Sequence, residues 1–521
     1  MFSTRSWWIA TLIASAIILL PDLLQPLNND VDHYQAMGWQ LAHFHQLPCI
    51  GTWAHNFPGI VYFHAAIIFW FGTSPLALRI VTLILTCVQA MLVFHLSSHR
   101  FSNRFAFYAA ISSAALYLWC GTWLSGQLDV FATVFILLGT TICLQWGALS
   151  DRKTNTIGQL SIHGVTGALF GLATTFRPTY ALFAMVLAAV LAFIHKRKAF
   201  RYIIPFGVGF TCVFLLSILP YLFVSGGLHA LYFAAIRFNF DVYARPGYAT
   251  PFRMLLHHRV ELASDAVLLL WCIIAIATRS SGGTSRWVLP RANVMLFILY
   301  MLVARLSILI MQKFFPQHYA MVLLLTAFLL ADLLERLTNV LPILRRQFPA
   351  IIAGLMILLL LRHNFTILYI EAIARGEAHP LEYAYRNDAN GAADKLLLMQ
   401  PVVDYLNQES VAGGRIECWG MTPGIYWRTH TASASRFTTM NPLVLQQPGS
   451  GLMDYQKRWR REFIDSIVTV RPRYIIIGDS DQLIHSALYY QHYIPGFDSI
   501  LAMNYLHDTV FPGWTIYRRR E

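Results

Sequence analysis

The feature that most constrains this chain is a succession of apolar runs long enough to cross a bilayer. They lie near residues 7–24, 76–97, 105–124, 129–148, 160–176, 178–195, 200–224, 260–278, 292–311, 317–335 and 349–369. A hydrocarbon core of about 30 Å asks for roughly 20 apolar residues per helix, and lipid admits only helices or closed barrels as spanning structures. Composition agrees: 12% of the 521 residues are charged and 56% are hydrophobic, against about 25% charged in soluble chains. The net charge of +13 (39 − 26) would by itself suit nucleic acid or an anionic surface. The basic residues, however, fall in short clusters between apolar runs: Arg100 and Arg104, Arg152 and Lys153, Lys196 to Lys198, Arg345 and Arg346. Such clusters mark cytoplasmic loops, so the charge is read as topological and no nucleic-acid partner is expected.

The same clusters decide how many runs span. Were the shorter run 59–72 a full crossing, three of the basic clusters would lie outside. Read instead as a juxtamembrane helix on the outer face, it leaves all of them inside, and its 14 residues are few for a full crossing. The expected fold is therefore mainly α: a polytopic membrane helical bundle of about eleven spans, N-terminus cytoplasmic. Residues 7–24 are read as an anchoring first span, since no small-residue cleavage site precedes Pro21. Residues 1–369 form the membrane module, with a large first extracytoplasmic loop at 25–75, and residues 370–521 an outer domain. Helix-like stretches at 392–407 and 453–470 alternate in that domain with strand-like ones at 415–419, 474–478 and 513–518, which predicts a small α/β fold. No internal repeat of the kind common in transporters is visible. None of the seven cysteines has zinc or redox spacing; the topology puts only Cys49 and Cys418 outside.

Chemistry concentrates on the outer side. Directly after the first span comes Asn28-Asn29-Asp30-Val31-Asp32-His33-Tyr34. A carboxylate there would serve as general base toward an acceptor hydroxyl or bind a divalent cation; the plainer alternative is a solvated helix N-cap. Asp129 opens the fourth span on the same side, where an ionisable residue at membrane depth is a functional candidate and N-capping again the alternative. Three cations run against the positive-inside trend: Arg79, Arg177 in Phe176-Arg177-Pro178, and Lys313, followed by His318 and Tyr319. Singly each fits a side chain snorkelling to headgroups; together, beside carboxylates, they suit an anionic lipid phosphate. Histidines are frequent in the first loop, yet no acidic or cysteine partner completes a metal set.

In order and sidedness these motifs resemble the GT-C superfamily of membrane glycosyltransferases that use polyprenyl-phosphate sugars. The resemblance rests on Asp30-x-x-x-Tyr34, Asn56-Phe57-Pro58-Gly59, Leu78-Arg79, Leu128-Asp129, Gly167…Gly171 ending in Arg177-Pro178, Lys313…His318-Tyr319, and Cys418-Trp419-Gly420 to Tyr426. It is nearest to the protein mannosyltransferase, aminoarabinose transferase and lipopolysaccharide-modifying types. It implies Asp30 as catalytic base and Asp129 as its helper. It also implies that Arg177, Lys313 and His318 hold the donor phosphate, with Arg79, Tyr34 and Tyr319 supporting the site. Relatives of this kind carry a charged residue before the loop proline where this chain has Asn56 and Phe57, which leaves His55 as a candidate phosphate contact. Asp32 has no fixed counterpart and is left between substrate or metal contact and spectator. The implied reaction is an inverting single displacement onto a glycan, lipid or protein hydroxyl, with no cofactor assigned and a divalent cation left open. The competing readings are a glycan polymerase or ligase and a lipid-linked-sugar transporter.

Overall fold

In the computed structural model the described residues are 3–146, 156–243, 264–273, 291–311, 315–340, 347, 350–352, 354, 364–387, 392–446, 451–478 and 494–521. They group into two compact units. The first comprises residues 1–25, 79–217 and 248–371; the second comprises 26–78, 218–247 and 372–521.

The first unit is helical. Its principal helices are α1 (Thr4–Leu19), α4 (Pro75–Ser98, from Arg79 onward), α5 (Asn103–Trp119), α6 (Leu128–Trp146), α7 (Thr156–Phe176), α8 (Ala181–His195) and α9 (Phe200–Leu222, to Ser217). They are completed by α10 (Arg291–Met311) and α11 (Ala320–Val340). Among the described residues, five helices are long and apolar enough to cross a membrane, and shorter apolar helices lie at Ser264–Ile273 and Met295–Met311. The chain is an integral membrane protein. Its lipid-compatible surface is explicit on α9, where Phe200, Leu215 and Leu216 are exposed. Helices α7 and α9 approach closely because glycines line both. A Cβ at Gly167 would stand 1.8 Å from the Phe206 carbonyl oxygen, and one at Gly209 would stand 2.0 Å from that of Gly164. Small residues let membrane helices meet backbone to backbone, which gives a packing reason for the glycines of 164–171. At the α4–α5 turn, Arg100 and Arg336 both pair with Asp332, at 3.4 and 2.7 Å, and the Trp271 indole donates to the same carboxylate. Arg100 is thus held in an ion pair.

The second unit holds α2 (Asn29–Phe44), which packs on α3 (Gly59–Phe71), together with α12 (Ala392–Gln408), α13 (Gly424–Arg428) and α14 (Asp454–Val470). A five-stranded sheet runs in the order β2-β1-β3-β5-β4. Strand β1 (Arg415–Trp419) is parallel to β2 (Ala432–Ser433) and to β3 (Tyr474–Gly478); β5 (Trp514–Arg519) is antiparallel to β3 and to β4 (Tyr505–Phe511). Every residue of β3 is buried, as its Tyr-Ile-Ile-Ile-Gly sequence requires of a central strand. The core sits between this sheet and α12, with Val402, Leu406, Ile416, Ile476 and Ile516 at its centre. Aromatic rings join the loops to the sheet domain: Trp53 meets Phe238 at 4.9 Å and Trp459 at 6.2 Å. Helix α3 has 13 residues and ends in exposed Phe69, Trp70 and Phe71. Cys49 and Cys418 are free and buried.

Candidate functional site

In the first unit, Asp129 sits in the first turn of α6 and is fully buried. Its partners come from the turn after α7. Pro178 disfavours helical backbone at the residue before it, and Arg177 accordingly leaves the helix with φ −151° and ψ 124°. The chain then makes a tight turn, Pro178–Tyr180, before α8. This one turn delivers two groups: Arg177 Nη1 lies 2.7 Å from Asp129 Oδ1, and the Tyr180 hydroxyl donates to the same oxygen. Thr179 ties the turn to α10 through the Ser307 hydroxyl at 2.8 Å. Asp129 Oδ2 is buried and accepts no hydrogen bond among the described residues. A buried carboxylate is costly unless paired; Arg177 supplies the pairing and one oxygen is left over.

A second buried polar group lies just upstream. Arg79, 1% exposed, donates to Ser125 Oγ and faces Asp22, which also accepts from the Tyr117 hydroxyl at 3.1 Å. Ser125 stands four residues before Asp129, so this cluster anchors the loop from which α6 starts. His318 and Tyr319 close a short turn, Pro316–Tyr319; Tyr319 is buried and His318 half-buried. Phe315 beside them stacks on Trp123 at 5.8 Å. Lys313 lies outside the described residues.

In the second unit, α2 is capped by Asn28, whose side chain accepts from the Val31 amide at 3.0 Å. The cap is therefore not Asp30, which stands half-exposed in the first turn. Asp32 is 6% exposed; its Oδ1 accepts from Trp427 Nε1 at 3.0 Å and lies 3.6 Å from Arg428 Nη2. Burial raises its pKa above the ordinary carboxylate value, with Arg428 and the Trp427 hydrogen bond opposing. Asn56 donates to the Tyr34 hydroxyl at 3.1 Å, and the Tyr34 ring lies 5.7 Å from that of His64. Burial lowers His33 to about 4 and His64 to about 3, so both imidazoles are neutral at physiological pH. The His55 ring lies 4.7 Å from that of Tyr243, tilted by 42°. Among the described residues no group of three or more His, Cys, Asp or Glu is placed to hold a metal ion.

Residues 55–222 match the dolichyl-phosphate-mannose-protein mannosyltransferase family. Two solved structures of ArnT from Cupriavidus metallidurans superpose over the whole chain. The one bound to undecaprenyl phosphate has TM-score 0.59 at 11% identity, covering 99% of this chain and 98% of that one. The apo form has TM-score 0.58 at 11% identity with the same coverage. The chain has the GT-C fold. An oligosaccharyltransferase from Archaeoglobus fulgidus tethered with an acceptor peptide is more distant, at TM-score 0.46 and 13% identity over 99% of this chain and 74% of that one. No curated protein sequence matches.

Within the GT-C fold, Arg79, Asp129 and Arg177 fall inside the matched segment, while Asp30, Asp32 and Tyr34 precede it. The geometry joins Asp129 to Arg177, and Asp32 to residues nearly four hundred positions on. Sequence reading did not single out Asp22, Tyr117, Tyr180, Trp427 or Arg428. Tyr180 carried a signal, since it shares the Arg-Pro turn with Arg177; Asp22, one residue after Pro21 at the end of the first span, carried a weaker one.

Proposed function

We propose that this protein is a membrane glycosyltransferase that moves a sugar from a polyprenyl-phosphate donor to an acceptor hydroxyl on the extracytoplasmic face. The observation that carries the reading is the GT-C fold over 99% of the chain, with Asp129, Arg177 and Tyr180 locked together inside the segment that matches a mannosyltransferase family. ArnT, similar in fold, is bound to undecaprenyl phosphate in its structure; a lipid phosphate of that class is the donor assigned here.

In the proposed reaction Asp30, half-exposed in the first turn of α2, takes the proton of the acceptor hydroxyl. The acceptor oxygen forms a bond to the anomeric carbon as the bond from that carbon to the lipid phosphate breaks, with inversion. Arg177, Lys313 and His318 neutralise the departing phosphate, and Asp129 holds Arg177 in place. Tyr34, Arg79 and Tyr319 support the site. The N-terminus is cytoplasmic, the 370–521 domain is extracytoplasmic, and the acceptor is a glycan, lipid or protein.

The test is mass spectrometry of envelope glycans and lipid-linked sugars in cells carrying the intact gene, no gene, or an Asp30→Asn form expressed to the same membrane level. One glycan species should disappear in the deletion and stay absent with Asp30→Asn. An unchanged profile in the deletion would sink the enzyme reading. A normal profile with Asp30→Asn alone would move the base to another carboxylate.

A further inference from the structure

We infer that Asp32 is a positioning residue: through Trp427 and Arg428 it fixes the first turn of α2, and with it the carboxylate of Asp30. The inference rests on the reading of Asp30 as base given above.

Successive residues turn by about 100°, so Asp30 and Asp32 point about 200° apart, on opposite sides of α2. Residues seven apart return to one face. Asp32 and Trp39 form one such pair, His33 and Gln40 the next. All four reach the same segment of the C-terminal domain. Trp427 donates to Asp32 at 3.0 Å. His33 Nε2 meets Thr438 Oγ1 at 3.2 Å. Trp39 Nε1 and Gln40 Nε2 both donate to the Thr431 carbonyl, at 3.0 and 3.3 Å, and the Ser433 amide donates back to Gln40 Oε1 at 3.4 Å. Asp30 and Tyr34 lie about 40° apart on another face, where Tyr34 meets Asn56. One side of α2 is thus bonded along two turns to residues 427–438, and the other side carries the proposed base.

Asp32 is the pin nearest that base along the chain, and its pocket is built for a carboxylate. Arg428 stacks on the Trp427 ring at 4.4 Å, which orients both donors toward Oδ1. Gly424 supplies the room: a Cβ there would stand 1.9 Å from Asp32 Oδ2. With Trp427, Arg428 and the Gly424 backbone against it, the Asp32 carboxylate is engaged by protein. Its effect on chemistry then passes through the placement of its own helix.

The experiment compares Asp32→Ala, Asp32→Asn, Trp427→Phe and the double variant Asp32→Ala/Trp427→Phe in the full-length chain, at matched membrane level and melting midpoint. Two quantities are read: the glycan product in cells by mass spectrometry, and amide hydrogen exchange across residues 29–44 in detergent. Asp32→Ala should lower product by about 10- to 100-fold, the usual scale for misplacing a reacting group, and speed exchange in the first turn of α2. Trp427→Phe should reproduce both effects in weaker form, and the double variant should be no worse than Asp32→Ala. Asp32→Asn, which still accepts from the indole, should recover part of the product. If Trp427→Phe leaves product and exchange untouched while Asp32→Ala abolishes product, Asp32 contacts substrate and the inference is overturned; normal product with Asp32→Ala overturns it as well. Asp30→Asn separates the two ideas. Full product from that variant with slow exchange retained removes the base, while the exchange data on the other variants still decide whether Asp32 orders α2.

Discussion

Two buried aspartates, Asp129 in the membrane bundle and Asp32 beneath the sheet domain, are held by the same kind of partners and left in different states. Each takes one arginine and one aromatic hydrogen-bond donor onto Oδ1: Arg177 and Tyr180 for Asp129, Arg428 and Trp427 for Asp32. The arginine is close in the first case, at 2.7 Å, and looser in the second, at 3.6 Å. The second oxygen makes the distinction. Oδ2 of Asp129 accepts nothing among the described residues, whereas Oδ2 of Asp32 is packed against Gly424. Partners also differ in chain distance: Arg177 arrives on the next helical hairpin, Arg428 from 396 residues away. A saturated carboxylate joining distant segments suits a brace, and one with a spare buried oxygen beside a cation suits a site that receives a further group.

The largest effect expected from this contrast is at Arg177. Arg177→Met leaves Asp129 buried without its cation, which costs about 3–5 kcal/mol when a buried pair is broken from one side. The melting midpoint of the detergent-solubilised chain should fall sharply and glycan product should vanish. Adding Asp129→Asn should restore most of the melting midpoint and none of the product. Recovery of product in the double variant would show that the pair is architectural only and would erase the contrast with Asp32.

Next in size is Gly424→Ala, which places a methyl group against Asp32 Oδ2. Overpacking of this kind costs about 1–3 kcal/mol, and here it also displaces the carboxylate from Trp427. The expected outcome is a lower melting midpoint and reduced product, both relieved when Asp32→Ala is added to make space. Tyr180→Phe should do less: it removes one donor from Asp129 at a cost of about 1–3 kcal/mol but leaves the ion pair. A fall in product without a comparable fall in melting midpoint would place Tyr180 in the chemistry.

The contrast also shows which parts of this molecule a linear reading reaches. The sheet domain was legible: strands expected at 415–419, 474–478 and 513–518 appear at Arg415–Trp419, Tyr474–Gly478 and Trp514–Arg519. Periodicity and burial act locally there. Strand β4 escaped because its residues alternate poorly and a register irregularity falls between His507 and Thr509. Candidate residues on the bundle were found through charge at membrane depth, a local oddity that sequence displays. What attaches to them was not, since Tyr180, Trp427 and Arg428 are ordinary residues until the fold sets them beside a carboxylate. Which residue of this stretch caps α2 was not legible from sequence either, because Asn28, Asn29 and Asp30 are all good caps and only geometry selects Asn28.

A third buried acid sharpens the comparison with the smallest effect. Glu417 on β1 is fully buried like Asp129, but among the described residues it is held by serine and backbone donors rather than by an arginine. The Ser435 amide and hydroxyl donate at 2.8 and 3.0 Å, the Ser433 hydroxyl at 3.4 Å. Without a cation to oppose burial, its pKa is pushed up to about 8. The folded state then keeps a proton that the unfolded chain releases near the ordinary glutamate value of 4.5. Linkage fixes the sign: the contribution to stability is complete below that value and is lost as pH rises toward about 8, with no further loss beyond. Glu417→Gln carries no titrating proton, so its melting midpoint should match the parent at low pH and exceed it increasingly up to pH about 8. A parent chain whose melting midpoint runs parallel to the variant across that window would mean that these neutral donors alone sustain the charged carboxylate. Arginine would then not be what separates the two braced aspartates from an ordinary buried acid.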